Sequence, residues 1–291
     1  MSNTNLAKEV SPLTISLGNE KISFVPETKK AIDIELMLLH IPLLATIAAF
    51  SLDYIGWPVF LLLFYVIAMR IFIGNHDRYH ASHKARLPRF LEAFSEGLAV
   101  VVTPWDEPYD SIRRKHLKHH TTHNPGNSSS LDSHHDPHSV YELGGIVRVF
   151  FSCLFYEEIQ FYFDLRDKQV TRSRLYRFLI YMPILAIYIF TFGWAKFGVI
   201  FLAMRIVGFT AWFVFSWAIH QPLIYKFGFS KQVPTWFKWM FAIMHGRRVT
   251  EGCIHHATHH AWPSIPFNQL HKFDVKAYQN PDVAPEMNPI G

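Results

Sequence analysis

Four apolar runs constrain this chain more than any other feature. Roughly Ile34 to Leu52 and Trp57 to Ile73 are separated only by Asp53 to Gly56; after a long polar insert come Phe178 to Phe192 and Phe197 to His220. A helix needs about 20 residues to cross the hydrocarbon core of a bilayer, and about 17 is the practical minimum. Two such runs with almost no connection between them form a helical hairpin that has no polar face to turn towards water. The pattern predicts an all-α integral membrane protein with two transmembrane helical hairpins, hence four spans. Composition agrees: half the residues are hydrophobic, 16% are aromatic and only 18% are charged, against the roughly 25% charged usual for a soluble domain.

The segments outside the runs divide the chain. Residues 1–30 are polar, with no apolar stretch after a basic start, so they read as an N-terminal tail and not as a cleavable signal. Residues 31–272 form one unit, and 273–291, carrying Pro281, Pro285 and Pro289, read as a weakly structured C-terminal tail. Cys153 and Cys253 are too few for a disulfide framework and match no zinc-ribbon spacing. Of the 28 lysines and arginines, all but Lys196, Arg70 and Arg205 fall in the N-terminal tail, the central insert or the segment after the fourth run. By the positive-inside rule both tails and the insert are therefore cytoplasmic. Arg70 can snorkel to the interface, whereas Arg205 lies deeper and calls for an acidic partner or protein around it.

Histidines then gather where this topology brings the chain together. In a helix, His116, His119, His120 and His123 fall at i, i+3, i+4 and i+7 and project from one face, and His76, His80 and His83 do the same at i, i+4 and i+7. His220 ends the fourth run, and His255, His256, His259 and His260 follow. Each group is separated from the others by no span or by one hairpin, so all end on one side of the membrane, in a helical cap; His40 lies apart, in the first run. A face of imidazoles repels itself when protonated and needs partners when buried. A metal supplies both needs. Eight or more neutral imidazoles exceed the coordination of one ion and imply two, yet imidazole suits zinc, copper, iron and nickel alike. Redox-active ions there would activate dioxygen, and zinc would make a hydroxide.

The three clusters His76-x3-His80, His116-x2-His119-His120 and His256-x2-His259-His260 resemble the three histidine boxes of the membrane-bound fatty acid desaturase and hydroxylase superfamily. The run from His259 through Trp262-Pro263-Ser264-Ile265-Pro266-Phe267 resembles the family's third box and the segment after it, and Ser216 to His220 resembles the end of its fourth span. The likeness covers about 200 residues, from the second span to His271. It implies two iron ions held by His76, His80, His116, His119, His120, His220, His256, His259 and His260, and oxygen-dependent attack on an unactivated C–H bond of a long acyl or alkyl chain. Desaturation is the first expectation, with fatty acyl hydroxylation, a carotenoid hydroxylase or ketolase, or an alkane-type monooxygenase as alternatives. This chain departs from the family pattern at Ser216, where acyl-CoA desaturases carry an asparagine, at His123-Asn124 after the second box, and in opening the third box with histidine.

A ligating histidine usually donates its other N–H to a carboxylate or carbonyl. Asp77 and Asp136 are the candidate carboxylates, the alternative for Asp77 being an ion pair with Arg78 or Arg113. His83, His123 and His255 are extra ligands or such outer partners, while His134, His135 and His138 read as exposed loop histidines. Phe90 to Val102, Ile146 to Leu165 and Val233 to Phe241 mix large apolar residues with charges, as interfacial helices do. No flavin or nicotinamide glycine fingerprint and no His-Pro-Gly-Gly haem motif is present. Electrons are thus expected from a separate ferredoxin or a b-type cytochrome with its reductase, docked on the basic cytoplasmic face that also meets lipid headgroups. No nucleic-acid partner is expected. A histidine-rich metal transporter would place ionisable ligands near mid-span; here the clusters lie beyond the span ends.

Overall fold

The computed structural model describes residues 12–17, 20–102, 109–124, 127–128, 145–166, 172–217, 219 and 234–272. Within the predicted N-terminal tail, strands β1 (Leu13–Leu17) and β2 (Glu20–Phe24) pair antiparallel, a local hairpin that the polar composition of this stretch did not signal. Helix α1 (Lys29–Ser51) starts at Thr28, whose hydroxyl accepts the N–H of Ala31 and satisfies one of the donors that a helix start leaves free. It ends in a tight turn in which Asp53 adopts φ 62°, a left-handed conformation that Asp tolerates better than most side chains. Pro58 then opens helix α2 (Trp57–His80), where the missing N–H costs nothing.

These two helices pack as an antiparallel pair around Leu36, Leu43, Phe50, Phe60, Phe64 and Ile71, all buried. A Cβ added at Gly74 would come within 2.7 Å of Leu36 Cδ2, so the glycine lets the two helices approach at their far end. Leu38, Ile41, Leu62 and Leu63 remain exposed on the outer faces. Large apolar side chains presented in this way suit lipid.

A third long helical stretch, α7 (Arg172–Thr210), is interrupted at Gly193, which has φ 86° and ψ 163°. Tyr181 and Leu185 before the break, and Phe201 and Arg205 after it, line one cavity of about 90 Å³. In a straight helix residues 181 and 205 would lie about 36 Å apart, so the chain turns back at Gly193. The break lies beside the α1–α2 turn: Ser51 Oγ meets the Tyr188 hydroxyl at 2.7 Å, and Lys196 Nζ donates to the Ser51 carbonyl at 2.6 Å and pairs with Asp53 at 2.7 Å. Among the described residues, three helices are long and apolar enough to cross a membrane, within Lys29–Ser51, Trp57–His80 and Tyr181–Phe215. The predicted interfacial segments are also helical: α3 (Arg89–Val102), α5 (Gly145–Leu154), α6 (Tyr156–Arg166) and α8 (Thr235–His245). Arg205 finds its acidic partner on α6, in Glu158, with an N–H to carboxylate distance of 2.8 Å.

A buried ionic cluster knits the first four helices together. Lys29 Nζ reaches Asp33 at 2.9 Å and Glu92 at 3.0 Å, and Arg78 pairs with Asp33 at 2.5 Å. Arg86 holds Glu92 through two N–H groups at 2.9 Å. The guanidinium of Arg78 stacks 4.4 Å above the ring of Tyr109, the first residue of helix α4 (Tyr109–Thr122), and the Tyr109 hydroxyl donates to the Arg78 carbonyl. This cluster therefore fixes the α4 histidines against the end of α2.

Candidate metal centre

The first box leaves the last turn of α2, with His76 and His80 one helical turn apart. The helix stops there because Ala81 turns extended, and Ser82 then pairs with the segment before α1: its N–H donates to the Glu27 carbonyl and its carbonyl accepts from Lys29, both at 2.9 Å. His83 therefore does not continue the predicted helical face. Its Nε2 lies 3.1 Å from the Tyr109 hydroxyl, outside the cluster of converging imidazoles. The second box behaves alike. Helix α4 carries His116, His119 and His120 but ends at Thr122, and His123 begins a two-residue strand, β3 (His123–Asn124), paired with β4 (Asn127–Ser128). Helix α9 (Arg247–Ile254) and helix α10 (His256–Ala261), joined at His255, bring in the third box.

At the centre, one ring nitrogen each of His76, His80, His116, His120 and His259 lies within 4.8 Å of all the others. His116 Nε2 is 2.7 Å from His80 Nε2 and 3.1 Å from His120 Nε2. Beside these five, His260 sits 4.3 Å from His120 and 4.9 Å from His119 between ring centroids, and His256 lies 4.6 Å from His260. Eight of the nine predicted ligands thus form one continuous group of rings drawn from α2, α4 and α10. The ninth, His220, lies outside the described residues, as do Asp136, His134, His135 and His138.

The chemistry of this group fits metal ions. His259 is fully buried, yet neither of its ring nitrogens has a hydrogen-bond partner, and Nδ1 of His76 and of His120 is likewise unmatched. Buried polar nitrogens without partners are costly, and coordination would satisfy them. Burial, reinforced by the neighbouring imidazoles, holds His120 and His259 well below the ordinary histidine range. They are neutral at physiological pH, with lone pairs free to bind a cation.

The surroundings orient these rings. Phe267, in the short 3₁₀ turn Phe267–Gln269, packs against His76 at 5.1 Å and against His259 at 4.7 Å between ring centroids. Gly252 makes room for that ring, because a Cβ there would collide with it. Asp77 is buried; one carboxylate oxygen lies 3.7 Å from His76 Nδ1 and the other 3.2 Å from Arg248 Nε. Its cation is therefore Arg248, not Arg78 or Arg113. Arg113 instead donates to the Tyr79 carbonyl. His255 is 3.3 Å from Glu251, one turn earlier on α9. Sequence reasoning passed over Glu251, although its i, i+4 spacing to His255 was visible. It also passed over Arg248 and Tyr109, which no local pattern marks, whereas Phe267 closes the segment that follows the third box. His245 stands apart, its Nε2 accepting from the Tyr65 hydroxyl at 2.7 Å while Nδ1 faces the Phe241 carbonyl.

Comparison with known proteins agrees with this geometry. The family model described as fatty acid desaturase matches residues 54–288, a region that includes all three histidine clusters. No curated protein and no solved structure gives a significant match. Members of that family are oxidoreductases that act with dioxygen. With its histidine cluster, its apolar helices and a match over most of its length, the chain belongs to the fatty acid desaturase family.

Proposed function

We propose that this protein is a four-span membrane enzyme that uses two iron ions to introduce a double bond into a fatty acyl chain. The observation that carries this reading is the meeting of five imidazoles within 4.8 Å, with His120 and His259 buried among them and three more adjoining, in a chain matched to the desaturase family. His76, His80, His116, His119, His120, His256, His259 and His260, with His220, are the assigned ligands. Iron supplies the power to activate dioxygen and break an unactivated C–H bond, which no side chain possesses. Two hydrogens leave adjacent carbons of the chain, and dioxygen becomes two waters with two electrons and two protons taken from outside.

The residues of this chain perform the rest. The carboxylate of Asp77 faces His76 and sets the tilt of its ring, as outer partners of ligating histidines do. Phe267 walls off the rings of His76 and His259 and keeps bulk water from them. Reversal of α7 at Gly193 supports two spans in that stretch, giving two hairpins with the histidine clusters and both tails on the cytoplasmic side. Exposed cations such as Arg89, Arg114, Lys118 and Arg247 suit an acidic ferredoxin or b-type cytochrome as electron donor. Residues 31–272 act as the catalytic unit. Expression with a reductase system, followed by mass spectrometry of lipid extracts, tests the assignment. Products lighter by two hydrogens are expected; products heavier by one oxygen would replace desaturation with hydroxylation, and unchanged lipids with no oxygen uptake would reject both.

A further inference from the structure

We propose that Arg248 is a positioning residue that joins the first histidine box to the third and sets the ligand geometry of His76 through Asp77. This inference rests on His76 being a metal ligand. Arg248 sits in α9, the helix that runs directly into His255, His256, His259 and His260. Its guanidinium reaches three carboxylates on three other parts of the chain: Glu27 before α1, Glu35 on α1 at 3.0 Å and Asp77 on α2 at 3.2 Å. One side chain thus ties the start of the third-box segment to the helix that carries the first box. A planar guanidinium fork can hold several carboxylates in fixed directions at once, which a lysine ammonium cannot.

The Asp77 carboxylate is the shared element. Its two oxygens point to different partners, Oδ2 to Arg248 Nε and Oδ1 to His76 Nδ1 at 3.7 Å. That His76 nitrogen is buried and has no hydrogen-bond partner. Arg248 therefore decides where Asp77 lies, and Asp77 decides how the His76 ring faces its neighbours His80, His116 and His259. The same contact fixes α9 against α2, which determines how far His259 reaches towards His76. Asp77 alone was legible in the sequence as a partner of the first box; its cation comes from 171 positions further along.

The test uses the full-length, metal-loaded protein in detergent and compares Arg248→Met, Asp77→Asn and the double variant with wild type. Metal per chain, the rate of ferrous loss to a chelator and the visible spectrum of the cobalt(II)-loaded protein are measured. Each single variant is expected to lose metal about tenfold faster than wild type, in the range known for outer partners of metal ligands, and to change the cobalt spectrum. The double variant is expected to lose metal no faster than the faster single variant, because both changes break one connection. A purely structural role would lower thermal stability without this shared limit. Wild-type release and spectrum in Arg248→Met would overturn the proposal, as would single effects that multiply in the double variant. If Arg248→Met does not accumulate, Arg248→Lys carries the same comparison. Failure of the wild-type chain to hold two ions would overturn the site assignment itself and the proposal with it, which separates the two failures.

Discussion

Single side chains around the histidine cluster carry much of the cost of building it. Asp33 is fully buried and neutralises both Lys29 and Arg78. Removing one partner of a buried ion pair strands the other charge and typically costs about 3–5 kcal/mol. Asp33→Ala should accordingly lower stability by about that amount in detergent unfolding, and it should also reduce metal content, since Arg78 lies between His76 and His80. Glu92 makes a different, pH-dependent contribution. Arg86, and after it Lys29, hold its carboxyl at about 2, below the ordinary 4.5. A depressed folded-state value means that the contribution is full above about 4.5 and is lost as pH falls through about 2. Acid unfolding of Glu92→Gln should therefore lack the step that wild type shows over that window; identical acid profiles would remove Glu92 from the account. Apart from the i, i+4 spacing of Lys29 and Asp33, none of these partnerships was visible in the sequence, because Lys29, Asp33, Arg78 and Glu92 are ordinary charges until the helices place them in one buried pocket.

At the scale of elements, the histidine spacing foretold which helix faces would carry the site, and the helix ends decided which histidines stay on them. His83 and His123 fit the same helical periodicity as their neighbours. They leave the face because α2 ends at His80 and α4 at Thr122, where backbone pairing of Ser82 and of the β3–β4 strands takes over. Periodicity cannot see such competition, since the partner strand or bridge lies elsewhere in the chain. The junction of α9 with the 3₁₀ turn offers a sharp test. A methyl group at Gly252 would collide with Phe267, the ring that backs His76 and His259. Gly252→Ala should cost about 1–3 kcal/mol of stability through overpacking and lower bound iron as well. If instead it binds metal like wild type, the Phe267 wall does not position these histidines.

Over the whole molecule, the apolar runs and the placement of charge predict that the α1–α2 turn and the metal site face opposite sides of the membrane. Tyr54 in that turn is 80% exposed, and Lys118 on α4 is exposed as well. Both native cysteines are buried, so an introduced thiol reports alone. Tyr54→Cys should react with an impermeant maleimide on intact cells, and Lys118→Cys only after permeabilisation. Labelling of both from the same side would reject the two-hairpin topology. Reversal at Gly193 adds a structural requirement to that topology, because φ near +86° is reached readily by glycine and at a cost by other residues.

By itself the sequence determined the class of the molecule: hydrophobic runs long enough for a bilayer, and imidazoles spaced to leave one face of a helix. These properties are local or periodic, so they survive in one dimension. Only the tertiary structure decided which imidazoles meet, which histidines drop away at helix ends, and which charges support the rest. Arg248 with Asp77, and Lys29 with Glu92, become partners through burial and proximity. Those depend on how helices pack, and no spacing along the chain encodes that packing.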